Sequence, residues 1–164
     1  MTQEKPSETK STSSSDQVRC DLRDRSKWSR GPWDHEPEDR IAFIDADTNY
    51  HCLMVRNHVG AWCGYVAIPK THRAAVNSGL NYDDYSVSVH GGLTYADHCT
   101  GDPLTGVCHA VPHGEEDAVI WLGFDTAHSG DQSPGYDWSD GVYRNKHYVR
   151  EEVLSLAKQL KALE

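Results

Sequence analysis

The hydrophobic pattern divides the chain into short strand-like runs followed by one long helix. Ile41-Ala42-Phe43-Ile44 and His51-Cys52-Leu53-Met54-Val55-Arg56 are runs of strand length, and Ala61 to Ile68 is a third, stopped by Pro69. Asn57-His58-Val59-Gly60, between the last two, suits a hairpin connection. Arg73 to Val76 gives a single helical turn ended by Gly79. Tyr85-Ser86-Val87-Ser88-Val89 alternates apolar and polar and predicts a half-buried strand. Val119 to Phe124 is continuously apolar and predicts a central strand. From His147 to Leu163, the residues Val149, Val153, Leu156, Leu160 and Leu163 fall on one stripe of an amphipathic helix. Lys158 and Lys161 lie near its C-terminal end, where cations favour the helix dipole. The predicted fold class is α+β: a mainly antiparallel sheet with long loops, one face of which receives a long C-terminal amphipathic helix.

Composition sets the limits of the folded body. Residues 1 to about 17 are mostly Ser, Thr, Lys, Glu and Gln, too polar to offset the entropy of ordering. The expectation is a disordered or loosely docked tail over 1–38 and a single domain over 39–164. Within that tail, Gly31-Pro32-Trp33 reads as a turn presenting an aromatic ring, either a clip on the domain surface or a lid over a pocket. The 164 residues suit one domain, and 37% hydrophobic residues with a mean hydropathy of -0.69 fit a chain that is partly outside the core. The net charge of -9 argues against sequence-independent nucleic-acid binding and against an anionic membrane surface. No apolar run approaches the ~18 residues of a membrane span, and the first residues have no apolar stretch of the signal-peptide kind. The expected setting is cytoplasmic.

Four segments carry candidate chemistry. In Val89-His90-Gly91-Gly92-Leu93-Thr94, a predicted strand ends on a histidine and runs into two glycines. Such glycines serve either a plain turn or an anion-binding concavity, to which Thr94 adds a hydroxyl. In Gly123 to Asp131, Asp125, His128 and Asp131 follow a buried strand at three-residue spacing, on one side of a turn. Carboxylates and imidazoles so placed suit a divalent metal or acid–base work; the structural alternative is that Asp125 caps a turn and His128 is an ordinary histidine. Together with His90, these residues make a set of four that converges if the two strands are neighbours. The third segment holds Cys99, Cys108, His109 and His113 around a turn-rich loop. It allows a structural zinc site, free thiols or a Cys99–Cys108 disulfide; the five cysteines and a reducing compartment disfavour the disulfide. In the fourth, Trp62 and Tyr65 lie on a strand, as core residues or as a platform for a planar ligand. Arg144, before the helix, is a candidate for bidentate contact with a carboxylate or phosphate. The motifs of P-loop, nucleophile-elbow, dinucleotide-fingerprint and HExxH enzymes do not occur.

The segments GPWDHEPED, RNHVGAWCGYVAIP, VHGGLTYADHC, GVCHAVPHGEEDAVIWLGFDTAHSGD and GVYRNKHYVREEVLSLAKQL resemble, in the same order, a family of small proteins of tailed bacteriophages and some bacteria. The resemblance runs from Gly31 to the C-terminus, roughly four-fifths of the chain. It implies a phage or prophage origin and the host cytoplasm, with HGGLT, CH and GFDxAHxGD as signature segments. It also implies cysteine in some relatives where this chain has Thr126, which counts against a metal ligand at that position. It implies no reaction.

Two functions follow. The first is metal-dependent hydrolysis of a phosphoester or nucleotide-like substrate. His90, Asp125, His128 and Asp131 would hold a divalent ion such as zinc, or divide between metal and general base. Gly91, Gly92 and Thr94 would hold the substrate anion, and Arg144 would neutralise developing charge. The alternative is a non-catalytic phage protein that sequesters a host nucleotide signal or covers a host protein, with Trp33, Trp62 and Trp138 enclosing the ligand. A nucleic-acid mimic ranks lower, because the carboxylates are interleaved with bases.

Overall fold

The computed structural model describes residues 16–111, 114–115, 117–136 and 140–164. Six strands, β1 (Gln17–Arg19), β2 (Arg40–Ile44), β3 (His51–Arg56), β4 (Trp62–Pro69), β5 (Tyr95–Asp97) and β6 (Val119–Asp125), form one sheet. Their order is β1-β2-β3-β4-β6-β5, and every neighbouring pair is antiparallel. Two helices accompany it: α1 (Arg73–Ser78) and α2 (Lys146–Lys161). A separate parallel pair joins β7 (Asp131–Gln132) to β8 (Val142–Tyr143). This is the expected α+β architecture.

The continuous apolar runs of β3, β4 and β6 have a simple cause: the sheet is covered on both faces. On one face, Cys52, Met54, Val66, Ile68, Leu122 and Phe124 pack with Val149, Val153, Leu156 and Leu160 of α2, all four of which are fully buried. Burial of each such side chain is worth about 1.5–3 kcal/mol. Gly64 of β4 permits the close approach of α2, since a Cβ there would lie 2.5 Å from Val153 Cγ2. On the other face, Leu53, Val55, Ala67 and Trp121 form a smaller cluster with Val107 against it. The loop containing Val107 is fastened by Arg40, whose buried guanidinium donates to the carbonyls of Pro103, Gly106 and Cys108 at 2.9, 3.1 and 3.0 Å.

The expected strand at Tyr85–Val89 is not formed. The segment is extended, and Tyr85, Val87 and Val89 do pack against the core, but its backbone is bonded to α2 and not to a strand. Ser88 N–H donates to Gln159 Oε1 (2.7 Å), and Gln159 Nε2 returns a bond to Ser88 O (2.8 Å). Period-two burial is satisfied by a helix surface as well as by a sheet, and so it does not specify the pairing partner.

The boundary expected at residue 39 does not mark a change in packing. β1 adds an edge strand, and the chain then wraps around Asp39, a fully buried carboxylate that accepts from Leu22 N, Arg23 N and Arg25 Nη2. Arg56, also fully buried, lies between Glu36 (3.6 Å) and Asp39 (3.8 Å) and stacks on Trp62 at 4.4 Å. Trp33 is 1% exposed and its Nε1 donates to Ser29 O, so it is a clip and not a lid. The polar composition of residues 18–38 conceals this attachment, because it runs through buried ion pairs. Residues 1–15 lie outside the described part.

Candidate functional site

The site forms where the end of β6 meets the first turns of α2. The extended segment along α2 delivers His90, whose backbone N–H donates to Glu152 Oε2 at 2.8 Å. Gly91 and Gly92 turn the chain with φ of 69° and 80°, and Thr94 then leads into β5. Asp125 closes β6, the loop through His128 returns to Asp131 at the start of β7, and Arg144 follows β8. Asn145 caps α2 by accepting from Tyr148 N, which sets Tyr148 in its first turn.

Two linked groups result. In the first, His90 Nε2 lies 2.8 Å from Asp131 Oδ2 and His90 Nδ1 lies 2.8 Å from the Tyr148 hydroxyl. With Asp131 ionised, the consistent tautomer puts the ring proton on Nε2, so that Nδ1 accepts from Tyr148. Asp131 Oδ2 also accepts from His128 N–H (3.1 Å), and Oδ1 accepts from Arg144 Nε (3.1 Å). Burial works to raise the Asp131 pKa, but the bonds from His90, Arg144 and the His128 amide outweigh it and hold the carboxyl below its ordinary value. Arg144 in turn lies over the Tyr148 ring at 4.9 Å.

In the second group, Asp125 Oδ1 lies 3.2 Å from His128 Nε2 and accepts from Ala127 N–H, while Oδ2 accepts from Thr94 Oγ1 (3.2 Å). The Nε2 contact is off hydrogen-bond geometry, and that nitrogen is buried without a hydrogen-bond partner among the described residues. It is covered by Gly91, where a Cβ would overlap Nε2. The ring is 32% exposed. His128 borders two open clefts. One, of about 450 Å³, is lined by Thr94, Tyr65, Tyr95, Asp125 and Cys63; the other, of about 580 Å³, by Ser129, Asp131, Ser133 and Tyr136. Burial pushes the Cys63 thiol up to about 12, which disfavours its thiolate.

His90, Asp125, His128 and Asp131 are thus brought together, by packing of the 85–90 segment on α2 and not by neighbouring strands. No three of their donor atoms lie within 4.8 Å of one another. Among the described residues, the group of His, Cys, Asp or Glu donors that lie within 4.8 Å of one another is Cys99, Cys108 and Asp117. Both nitrogens of His90 are engaged, and Asp131 is neutralised by Arg144. Arg144 therefore faces an internal carboxylate, where the expectation was a substrate. Gly92 N–H is used in the turn, donating to Val89 O (2.9 Å), and Gly91 makes room for His128, so the plain-turn alternative describes this pair. Trp62 is fully buried and stacked on Arg56, out of reach of a ligand.

The alternative zinc set is altered too. Cys99 and Cys108 are joined in a disulfide, so neither sulfur is a thiolate. His109 stacks on His51 (4.5 Å), and His113 and Trp138 lie outside the described residues. Sequence reasoning missed Tyr148 and Glu152. Their i,i+4 spacing beside the apolar stripe of α2 is the signal that placed both on one helix face.

No helix among the described residues is long and apolar enough to cross a membrane. No family model, curated protein or solved structure matches the chain.

Proposed function

We propose that the chain is a small acid–base hydrolase of phosphoester or nucleotide-like molecules, with His128 as the proton-transfer group. The observation that carries this reading is the Asp125–His128 pair at the meeting point of two clefts, with Nε2 of the ring 3.2 Å from Asp125 Oδ1 and without a hydrogen-bond partner among the described residues. Asp125 would stabilise the imidazolium formed when Nδ1 takes a proton from an attacking water. Thr94, Tyr65 and Tyr95 would hold the substrate in the cleft, the tyrosine rings offering a surface for a planar base. Asp131, His90, Tyr148 and Arg144 are positioning residues that fix the 128–131 loop. Proton transfer, not ligation, is the role that this donor geometry favours. The phage-family resemblance adds a setting to the reading: a phage-encoded protein acting in the host cytoplasm on a small anionic molecule.

A second reading, sequestration without turnover, draws on the Asp131–His90–Tyr148 chain. Its polar atoms are bonded to protein partners, so it would keep the adjoining cleft in one shape and leave direct contact with a ligand to other lining residues. The test is hydrolysis of bis-p-nitrophenyl phosphate and of a mononucleotide and cyclic-nucleotide panel, followed by phosphorus NMR. His128→Gln and Asp125→Asn should each lower turnover about 100-fold or more with circular dichroism unchanged. Unchanged turnover in His128→Gln overturns the enzyme reading. Saturable nucleotide binding without turnover selects sequestration.

A further inference from the structure

The corner of the molecule that holds the disulfide lies on the sheet face opposite α2 and takes no part in the site above. Cys99 and Cys108 flank a small antiparallel bridge in which Thr100 pairs with Val107, and Thr100 N–H donates to Val107 O at 3.1 Å. Their Cα atoms are 4.5 Å apart. Arg40 holds the same loop by three carbonyls, including that of Cys108 itself (3.0 Å). These backbone bonds do not depend on the sulfur–sulfur bond. The two sulfurs therefore remain neighbours when that bond is broken.

The surroundings of the sulfurs are those of a ligand set. The Asp117 carboxylate lies within 4.8 Å of both sulfurs, its Oδ2 4.0 Å from Cys108 Sγ. His109 Nε2 is 3.9 Å from Asp117 Oδ1. The other ring nitrogen, Nδ1, is buried without a hydrogen-bond partner among the described residues. Two sulfurs and one carboxylate form the close group, and His109, which touches Asp117 but lies outside that group, is the nearby imidazole that completes the four donors zinc prefers. Val119 N–H donates to Asp117 Oδ1 (3.3 Å), and such an outer bond orients a ligating carboxylate.

We propose that this corner is a redox-gated zinc site. In the oxidised form, which the structure shows, Cys99–Cys108 is a disulfide and the site has no thiolate. A dithiol reductant cleaves it by exchange: two electrons and two protons pass to the cysteine sulfurs, and the dithiol leaves as its own disulfide. Zinc then binds Cys99 Sγ, Cys108 Sγ and the Asp117 carboxylate, His109 turns in as the fourth ligand, and the two thiol protons go to solvent. A reducing compartment fills the site and an oxidising one empties it. Because the loop forms one side of the small cavity that Leu53, Trp121, His51 and Leu104 line on this face, the metal stabilises that wall in the reduced state.

The test uses the full chain, reduced with a phosphine, exposed to zinc sulfate, desalted and analysed for zinc, beside a diamide-oxidised sample. About one zinc per chain is expected when reduced and none when oxidised. Cobalt substitution of the reduced protein should give the visible bands of a tetrahedral ion and the near-ultraviolet sulfur charge-transfer bands. Cys20→Ser should leave both unchanged, since Cys20 is exposed on another segment. Asp117→Asn, which keeps both cysteines and an oxygen to accept from Val119 N–H, should weaken zinc binding at least about 10-fold with circular dichroism unchanged. Failure of the reduced protein to retain zinc overturns the proposal. So does zinc that is retained equally by oxidised protein or by Cys108→Ser, or affinity unmoved by Asp117→Asn.

Discussion

Gly91 gives the most informative perturbation, because its neighbour Gly92 is a built-in control. Both glycines have positive φ, 69° and 80°, so alanine at either position costs about 1–2 kcal/mol of backbone strain. Alanine also restricts the unfolded chain, which returns about 0.4–1 kcal/mol in each case. The two sites differ in what the new methyl meets. At Gly92 it meets nothing within 4 Å; at Gly91 it overlaps His128 Nε2. The imidazole has to swing away, giving up its place beside Asp125 and its packing under the loop, at a further cost of about 1–3 kcal/mol. Gly91→Ala should therefore lose about 2–4 kcal/mol and Gly92→Ala about 1 kcal/mol. Urea unfolding with linear extrapolation measures both. The mechanism makes a sharper demand: in a His128→Ala background the difference between the two glycine variants should shrink to within about 0.5 kcal/mol. Equal losses in the wild-type background, or a difference that persists without His128, would refute the argument. The same displacement should lower any turnover that depends on His128 in Gly91→Ala and spare it in Gly92→Ala.

Two further outcomes follow from the buried groups. Asp131 has a folded pKa below its unfolded value, so its bonds contribute stability above the unfolded pKa, and that contribution is lost as the pH falls through the folded one. Asp131→Asn should cost about 1–3 kcal/mol at pH 7 and should flatten the stability curve below about pH 4, as read from urea midpoints across pH 2–7; a variant with the wild-type acid slope would show that other carboxylates carry it. Burial pushes the Cys52 and Cys63 thiols up to about 12, whereas Cys20 is exposed. Iodoacetamide at pH 8 should therefore label Cys20 alone in the native, unreduced chain, with Cys52 and Cys63 labelled only in urea, as counted by mass spectrometry; labelling of Cys63 in the native chain would mean that the 450 Å³ cleft reaches its sulfur.

The candidate site was legible as a list of residues but not as an arrangement. His90, Asp125, His128 and Asp131 stand out because imidazoles and carboxylates follow apolar runs, and all four do meet. Their partners decide the chemistry, however, and these come from α2 and from the turn before it. Tyr148 occupies the far nitrogen of His90, and Arg144 neutralises Asp131. A ligand set for a metal was expected from residue types alone; in the structure the donor atoms of His90 and Asp131 are bonded to protein partners.

The sequence by itself determined the α+β class, β2, β3, β4 and β6, and the stripe of α2, because burial leaves a periodic or continuous apolar record in the residues buried. It also marked the cysteine and histidine loop as a place for a metal, free thiols or a disulfide, of which the structure shows the disulfide that the sequence reading disfavoured. Only the tertiary structure decided what lies beside what. The alternation of Tyr85 to Val89 is the same whether its partner is a strand or a helix, and here Gln159 and Glu152 of α2 take its backbone. The short strands β1, β5, β7 and β8 have two or three residues each, too few to show a period, and exist because neighbouring chain offers them bonds. Residues 18 to 38 read as polar tail and fold as part of the body, because Asp39 and Arg56 bury their charges against them. Hydrophobic periodicity records which side chains leave water. It carries no record of which polar atom, distant in sequence, will satisfy another, and in this protein those pairings assemble the site.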